Sequence, residues 1–354
     1  TPADACWGPA SVTDIALPEL KPPMIADDTI RRIGERLDAQ SMILLNGDGL
    51  TPAGLVAAGR VASVIGCKVA VTTFPARIDN GAGQPSFMRL PYFPEHILAT
   101  LKDTSLLVLA GAEAPVSFFA YPDTPGYLVP ETCDLERLAG CEEDVVDALE
   151  RLADHVNAPM DGYAVNDDSL PDMPTGDLSA AAAGAIIARL LPEGAIICGD
   201  SGGGGAAFVP TRNSAPHTWL NLTGGSIGQG GPVSIGASVA CPDRRVLALL
   251  GDGASMYTNQ AFWTQAREGL NVTTVIYNNR RYGILETEYL RLGVNEIGER
   301  AASLFDLGQP HIDFVGLAGS MGVPGTVAKT AEDFQQAMAL SFSQPGPFVI
   351  EARV

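Results

Sequence analysis

The 354-residue chain has few charged residues (18%), few aromatic residues (6%) and only four histidines. Hydrophobic residues make up 46% of the chain, and this composition is typical of compact globular domains, not of disordered segments. No apolar run reaches the roughly 20 residues that a membrane-spanning helix needs. Basic residues are also scarce, and the formal net charge of −19 argues against nucleic acid or an anionic membrane surface as a partner.

The cysteines and histidines indicate neither a metal cluster nor a disulfide framework. The six cysteines are scattered without a Cys-x-x-Cys pair, and the histidines occur at no metal-ligand spacing. Buried free thiols in a reducing compartment explain the cysteines better. The first residues contain neither the basic region nor the apolar region of a secretory signal. We therefore expect a cytoplasmic protein.

Short apolar strands alternate with helical segments along most of the chain. This alternation predicts an α/β fold of two domains with parallel, helix-flanked sheets, and the length allows each domain a core of its own. The predicted divisions are a Pro-rich linker over residues 1–23, a Rossmann-like central domain over 24–160, a linker rich in Asp, Pro and Gly over 161–176, and a second α/β domain over 177–354.

Two polar side chains lie at the ends of successive strands of the second domain. Asp252 comes just after the apolar strand 245–250, between two glycines, and Asn279 follows the strand that begins at Val272. A single helix, predicted at about 256–268, joins the strands, so a right-handed crossover should place their carboxyl ends side by side. One carboxylate and one amide oxygen suit Mg²⁺ that is bound jointly with phosphates. The flanking glycines allow close backbone approach to such an anion.

The tripeptide Gly-Asp-Gly occurs twice in the chain, and the two copies differ downstream. Gly47-Asp48-Gly49 is not followed by an Asn-Asn pair, whereas Gly251-Asp252-Gly253 is followed after 24 residues by Asn278-Asn279. Because Asp-Gly is a common turn, the tripeptide alone predicts no ligand. The combination with the asparagine pair predicts a metal and phosphate site.

This combination resembles the cofactor motif of the thiamine-diphosphate-dependent decarboxylases and carboligases, the family of acetolactate synthase and benzoylformate decarboxylase. By this resemblance, Mg²⁺ is bound by the side chains of Asp252 and Asn279 and by the carbonyl oxygen of Arg281. The resemblance also implies that thiamine diphosphate contacts the residues around the motif, namely Gly251, Asp252, Gly253, Ala254, Ser255, Asn279, Tyr282, Gly283 and Ile284.

A glycine-rich segment upstream, residues 224–232, resembles the part of the family that passes beneath the cofactor. There a bulky apolar residue, here Ile227, would hold the thiazolium ring against the aminopyrimidine. A single isoleucine among glycines is itself an exposed apolar group that needs a flat partner. The cofactor contacts implied for this segment are Gly225, Ser226, Ile227 and Gly228, and the alternative is a flexible loop without a ligand. Residues 200–203, Asp-Ser-Gly-Gly, fall where the family places residues near the diphosphate, and Ser201 and Gly202 are the cofactor contacts implied there.

The resemblance implies attack on a 2-keto acid and loss of CO₂, followed by protonation or by addition to a second carbonyl. Two departures leave the choice open. Residues 282–285, Tyr-Gly-Ile-Leu, replace the Gln-Gly-Met-Val that is common in acetolactate synthases, and Ala120 stands about where benzoylformate decarboxylases have a histidine. Acetolactate-synthase-like carboligation is the main hypothesis, and benzoylformate-decarboxylase-like decarboxylation is the alternative. Ile284, Leu285 and Glu288 either line the substrate pocket, pack in the core or lie on a solvated helix face.

Residues 1–7 resemble the end of the family's first domain, which carries the glutamate that protonates the aminopyrimidine. We therefore expect no catalytic residue in this chain, a pyrimidine-binding domain supplied by a further segment or by another chain, and a homodimer or homotetramer.

Residues 73–77 and 111–116 resemble the family's central domain, which in some members holds FAD or a nucleotide. Gly47, Gly49 and Gly54 could form a nucleotide loop, but their spacing is not G-x-G-x-x-G, so a structural role is favoured. A non-catalytic FAD or nucleotide module, or a subunit that only completes another chain's site, remains as an alternative.

Overall fold

The computed structural model describes residues 2–9, 21–200 and 202–354. Within these ranges the strands are β1 (Met42–Leu45), β2 (Lys68–Val71), β3 (Arg77–Asn80), β4 (Met88–Arg89), β5 (Leu106–Ala110), β6 (Asp134–Ala139), β7 (Ile196–Asp200), β8 (His217–Leu220), β9 (Val246–Gly251), β10 (Val272–Asn278), β11 (Gly325–Ala328) and β12 (Phe348–Arg353).

The helices of the same ranges are α1 (Ala3–Trp7), α2 (Asp27–Arg36), α3 (Pro52–Ile65), α4 (Pro94–Leu101), α5 (Val145–His155), α6 (Ala180–Leu190), α7 (Gly202–Gly205), α8 (Gly230–Ala240), α9 (Asp252–Ser255), α10 (Ala261–Arg267), α11 (Gly283–Arg291), α12 (Glu299–Phe305), α13 (Phe314–Ser320) and α14 (Ala331–Ser343).

The first sheet has the strand order β4-β2-β1-β5-β6, and all of these pairs are parallel. Every residue of β1 and β5 is buried, as expected for central parallel strands that are covered on both faces. Helix α3 begins with the Thr51 cap and a proline and ends at Gly66, whose φ of +78° suits glycine. Local sequence therefore sets both ends of this helix.

The second sheet has the order β11-β12-β10-β9-β7-β8-β3. Its pairs are parallel except at the edge, where β3 runs antiparallel to β8. The strands β9 and β10 are neighbours, with Tyr277 in register with Gly251. The predicted α/β class with parallel, helix-flanked sheets and the predicted pairing of these two strands are thus confirmed.

Two features differ from the sequence-based expectation. The helix predicted at about 256–268 is shorter: α9 makes one turn directly after β9, and α10 begins only at Ala261. The polar run 258–260 lies between them, and Thr258 Oγ1 donates to the carbonyl oxygen of Gly228 (2.6 Å) instead of facing solvent. In addition, β3 lies within residues 24–160 yet joins the second sheet. The boundaries of the predicted domains remain a prediction.

One continuous cluster of buried apolar residues includes side chains from both sheets, for example Leu45 of β1 and Leu249 of β9. All six cysteines lie in the described ranges and are free. None of the helices in those ranges has the length and apolar character needed to cross a membrane.

Candidate cofactor and metal site

The Asp252 carboxylate joins the ends of two neighbouring strands. Only 5% of the residue is exposed. Its Oδ1 accepts a hydrogen bond from the backbone N–H of Gly253 (2.8 Å), and its Oδ2 accepts one from the backbone N–H of Arg280 (2.8 Å), in the turn that follows β10. Burial raises the pKa of Asp252, while these backbone N–H groups act in the opposite direction. The predicted proximity of Asp252 to the asparagine pair is therefore present in the structure.

The two asparagines of the turn have different environments. Asn278 is buried, and its Oδ1 accepts from the N–H of Arg280 (3.1 Å), whereas Asn279 is exposed and its Oδ1 accepts from the N–H of Arg281 (3.0 Å). Arg280 itself has a φ of +59°, in the left-handed region. The turn is thus fixed from inside by Asn278, and Asn279 is the asparagine that a ligand can reach.

A buried glutamate supports this turn from the neighbouring strand. Glu351 of β12 is fully buried, and its Oε1 accepts from Asn278 Nδ2 (2.9 Å) and from Arg353 Nε (2.8 Å). Sequence reasoning missed this residue. The available signal was a single carboxylate inside the otherwise apolar strand near the end of the chain.

The glycine-rich segment is attached to the end of β7 by a second buried carboxylate. Asp200, 1% exposed, accepts at Oδ2 from the N–H groups of Gly228 (2.8 Å) and Gly230 (2.9 Å), and burial raises its pKa. A Cβ at Gly230 would lie 2.7 Å from the Asp200 Cβ, so the close approach requires glycine. The resemblance had placed Asp200 near the diphosphate, but its hydrogen bonds to the glycine-rich segment were not predicted.

Ile227 lies between glycines of unusual backbone conformation. Gly225 and Gly228 have φ values of +71° and +95°, and 47% of Ile227 is exposed. A Cβ at Gly225 would lie 2.7 Å from Cζ of Phe118, which lies between β5 and β6. Phe118 thus belongs to the first-sheet region, by which we mean the first sheet with the helices and loops that join its strands. The segment is therefore held at several points, which argues against a freely flexible loop.

The other predicted residues lie close to Asp252 or at the neighbouring strand ends. A Cβ at Gly253 would be 2.3 Å from Cε1 of Tyr282, so the tyrosine ring lies directly against this glycine. The Ser255 hydroxyl donates to the carbonyl oxygen of Asp252 (2.8 Å). A Cβ at Gly203 would be 2.9 Å from the Tyr277 ring, which places α7 against β10.

The remaining positions complete the comparison with the predicted set. Gly202 begins α7, Gly283 and Ile284 begin α11, and half of Ile284 is exposed. Ser226 is exposed in the glycine-rich segment, and Ala254 is half-buried in α9. Ser201 lies outside the described residues.

The donor set fits a hard cation that is shared with phosphates. In the described part of the chain, no group of three or more His, Cys, Asp or Glu side chains could hold a metal ion. A cation at this edge would instead be bound by one carboxylate, one amide oxygen, a carbonyl oxygen and oxygens of a ligand, which is the preference of Mg²⁺.

The first sheet has an opening of its own at the carboxyl ends of β1 and β5. This cavity of about 340 Å³ is bordered by Asn46, Thr72, Phe74, Tyr92 and Phe118, among others. It is the position where open α/β sheets bind ligands. The FAD or nucleotide alternative remains a prediction.

Known proteins are similar to this chain in fold and in the part of the sequence that contains the candidate site. Residues 198–352 match the model of the C-terminal TPP-binding domain of thiamine pyrophosphate enzymes. IlvX of Mycobacterium tuberculosis, named as an acetolactate synthase large subunit, is 42% identical over 359 residues, covering 100% of this chain and 68% of that protein. The chain belongs to the thiamine-pyrophosphate-dependent enzymes. Thiamine pyrophosphate is the thiamine diphosphate of the predicted motif, so the predicted family is confirmed.

Decarboxylases of the same family are also similar to this chain. A benzoylformate decarboxylase of Pseudomonas aeruginosa is 30% identical over 167 residues, or 47% of this chain and 30% of that protein. The structure of a thiamine-diphosphate-dependent 4-hydroxybenzoylformate decarboxylase of Rhodococcus jostii superposes with a TM-score of 0.76 at 25% identity, over 96% of this chain. The chain spans 66% of the length of that structure.

Proposed function

We propose that the carboxyl ends of strands β7, β9 and β10 form a site that binds thiamine diphosphate through Mg²⁺. The observation that carries the proposal is the hydrogen bond from the Arg280 N–H to Asp252 Oδ2, because it brings the two strand-end motifs together. The side chains of Asp252 and Asn279 and the carbonyl oxygen of Arg281 would hold the cation. The cofactor contacts are proposed at Ser201, Gly202, Gly225, Ser226, Ile227, Gly228, Gly251, Gly253, Ala254, Ser255, Tyr282, Gly283 and Ile284.

When bound, thiamine diphosphate supplies the electron sink that decarboxylation of a 2-keto acid requires. The protein supplies binding and orientation. Gly253 lets the Tyr282 ring approach the backbone, and the Asp200 carboxylate holds the glycine-rich segment so that Ile227 presents an apolar surface at the site. The buried Asn278–Glu351 pair fixes the turn that carries Asn279.

Proton transfer to the aminopyrimidine is proposed to come from a glutamate outside residues 1–354. It would lie on a pyrimidine-binding domain that shares the site, and a homodimer or homotetramer would bring the two parts together. Residues 24–160 and 177–354 are proposed as the central and the diphosphate-binding domains, joined at β3. We place the protein in the cytoplasm, a choice supported by its free cysteines.

The proposed reaction is decarboxylation of a 2-keto acid with or without ligation to a second carbonyl, as in the acetolactate synthases that the chain resembles. Simple decarboxylation is the second candidate. It is favoured by Phe118, whose ring contacts the glycine-rich segment at Gly225, and by the adjoining Phe119, because these apolar groups suit an apolar keto acid.

The test is release of CO₂ from pyruvate, benzoylformate and branched-chain 2-keto acids, with thiamine diphosphate, Mg²⁺ and the pyrimidine-binding domain present. We expect turnover of at least one substrate, lost in Asp252→Ala and retained in Asp48→Ala. Formation of acetolactate from pyruvate separates ligation from simple decarboxylation. Absence of CO₂ release from every substrate would contradict the proposed reaction.

A further inference from the structure

Helix α11 follows directly on the proposed metal turn but is not anchored by burial. None of its nine residues is buried, so the hydrophobic core contributes little to its position. Its first residues, Gly283 and Ile284, and the preceding Tyr282 are nevertheless proposed cofactor contacts. Tyr289 packs edge-on against the buried Phe305 of α12 (ring centroids 5.2 Å apart), and the rest of the helix depends on polar contacts.

Arg291, the last residue of α11, binds a glutamate of the first-sheet region through two nitrogens. Its Nη1 and Nη2 donate to Oε1 (2.7 Å) and Oε2 (2.8 Å) of Glu95 in α4. The guanidinium carbon also lies 4.2 Å from the ring centroid of Phe93 and 4.3 Å from that of Tyr121. Such two-point pairing with aromatic contact uses the planar shape of arginine, which lysine lacks.

A second contact strengthens the same connection. The Tyr121 hydroxyl donates to Oε1 of Glu288 (3.1 Å), one turn before Arg291 on α11. Phe118, three residues before Tyr121, contacts the glycine-rich segment at Gly225. The segment 118–121 thus contacts both α11 and the loop that carries Ile227.

We propose that Arg291 is a positioning residue for the cofactor site, acting through a clamp formed by Glu95, Tyr121, Glu288 and Arg291. The clamp holds α11 against the first-sheet region and thereby fixes Tyr282 and Ile284 relative to Asp252 and Ile227. This inference rests on the proposed function, since it concerns the same site.

The chain provides a matched control for the loss of a paired arginine. Arg36 of α2 pairs with both Asp134 and Glu136 of β6, and it has no contact with α11. Arg36→Met therefore removes a comparable arginine with two carboxylate partners at a distance from the site. Arg291→Lys keeps the charge of Arg291 but loses its planar pairing.

The experiment measures hydrogen exchange of residues 283–292 and the Kd for thiamine diphosphate with Mg²⁺ by calorimetry. In Arg291→Met we expect exchange and Kd each to rise roughly tenfold, in Arg291→Lys by less, and in Arg36→Met neither to change. Unchanged exchange in Arg291→Met would overturn the clamp. Faster exchange with an unchanged Kd would overturn its positioning role.

The two proposals can fail separately. A wild-type chain that binds no thiamine diphosphate in the presence of Mg²⁺ and the pyrimidine-binding domain would remove the proposed function, and with it the connection of the clamp to the cofactor. An exchange rate in Arg291→Met equal to that of the wild type would remove the clamp alone, whatever the affinity for the cofactor.

Discussion

The two Gly-Asp-Gly tripeptides show how one local sequence acquires different roles. Asp48 lies exposed in a 3₁₀ turn, Gly47–Leu50, at the end of β1. Asp252 is buried and accepts backbone hydrogen bonds from two strand ends. The difference is the turn after the neighbouring strand β10, which donates a backbone hydrogen bond to Asp252. For this reason the downstream Asn278-Asn279 pair was needed to predict which aspartate belongs to a site.

Substitution of Gly253 tests the contact between the proposed cofactor turn and Tyr282. In Gly253→Ala the new Cβ would meet the Tyr282 ring, which is half-buried and can move away. We therefore expect the affinity for thiamine diphosphate to fall about tenfold while the free energy of unfolding changes by less than about 1 kcal/mol. Calorimetry and denaturant unfolding measure the two quantities.

Gly269→Ala is a control that strains the backbone without creating a new contact, because Gly269 has a φ of +61° and nothing lies within 4 Å of the position of an added Cβ. It should lower stability without changing cofactor affinity. A Gly253→Ala protein that loses stability but keeps its affinity would contradict the proposed role of this turn.

Which residues of the site could be predicted depended on whether their partners lie close in sequence or on adjacent strands. Asp252 and Asn279 were predicted because only one short crossover of the chain separates their strands, β9 and β10. Glu351 and Arg291 were missed, and so were the hydrogen bonds from Gly228 and Gly230 to Asp200. These partners are distant along the chain, and a lone acidic or basic residue does not indicate its partner.

Strand β8 contains a buried histidine that must stay neutral. His217 is 3% exposed, its Nε2 accepts from Trp219 Nε1 (3.0 Å), and its Nδ1 therefore carries the proton that is donated to the carbonyl oxygen of Ala215 (2.9 Å). Burial lowers the pKa of His217 in the folded chain. Below the ordinary value of about 6.5 the unfolded chain gains a proton that the folded chain resists.

The free energy of unfolding should therefore fall as the pH is lowered from about 6.5 through the depressed pKa of folded His217. In His217→Asn this part of the pH dependence should disappear, although the protein is less stable at neutral pH. Urea unfolding at a series of pH values measures it, with His155→Asn as an exposed control. If the free energy of unfolding changed with pH equally in wild type and His217→Asn, another group would be responsible for the pH dependence.

At the level of elements, strands with apolar runs were predicted well and polar strands were not. Strands β9 and β10 are buried along nearly their whole length, so each appears in the sequence as a short and mainly apolar run. Strand β3, Arg-Ile-Asp-Asn, has one buried apolar residue and pairs with β8 far along the chain, so no local pattern reveals it. The interruption between α9 and α10 likewise depends on the tertiary contact of Thr258 with Gly228.

At the scale of the whole molecule, the two sheets form connected units. Strand β3, which lies between β2 and β4 in the chain, pairs in the second sheet. The buried apolar cluster includes side chains from both sheets, and the clamp joins α11 to the first-sheet region. The alternation of strands and helices predicted the fold class, whereas these connections follow from packing between distant segments. The proposed cofactor site depends on this joint framework, because Phe118 of the first-sheet region lies against Gly225 of the glycine-rich segment.

The central claim is that Asp252 at the end of β9 anchors Mg²⁺ and the diphosphate. Calorimetric titration of thiamine diphosphate with Mg²⁺ into wild type, Asp252→Ala and Asp48→Ala tests it most directly. The account predicts equal affinities for wild type and Asp48→Ala, and an affinity more than about 100-fold weaker for Asp252→Ala, since even residues outside the ligand shell cost 10–100-fold. Equal binding by Asp252→Ala and wild type would contradict it.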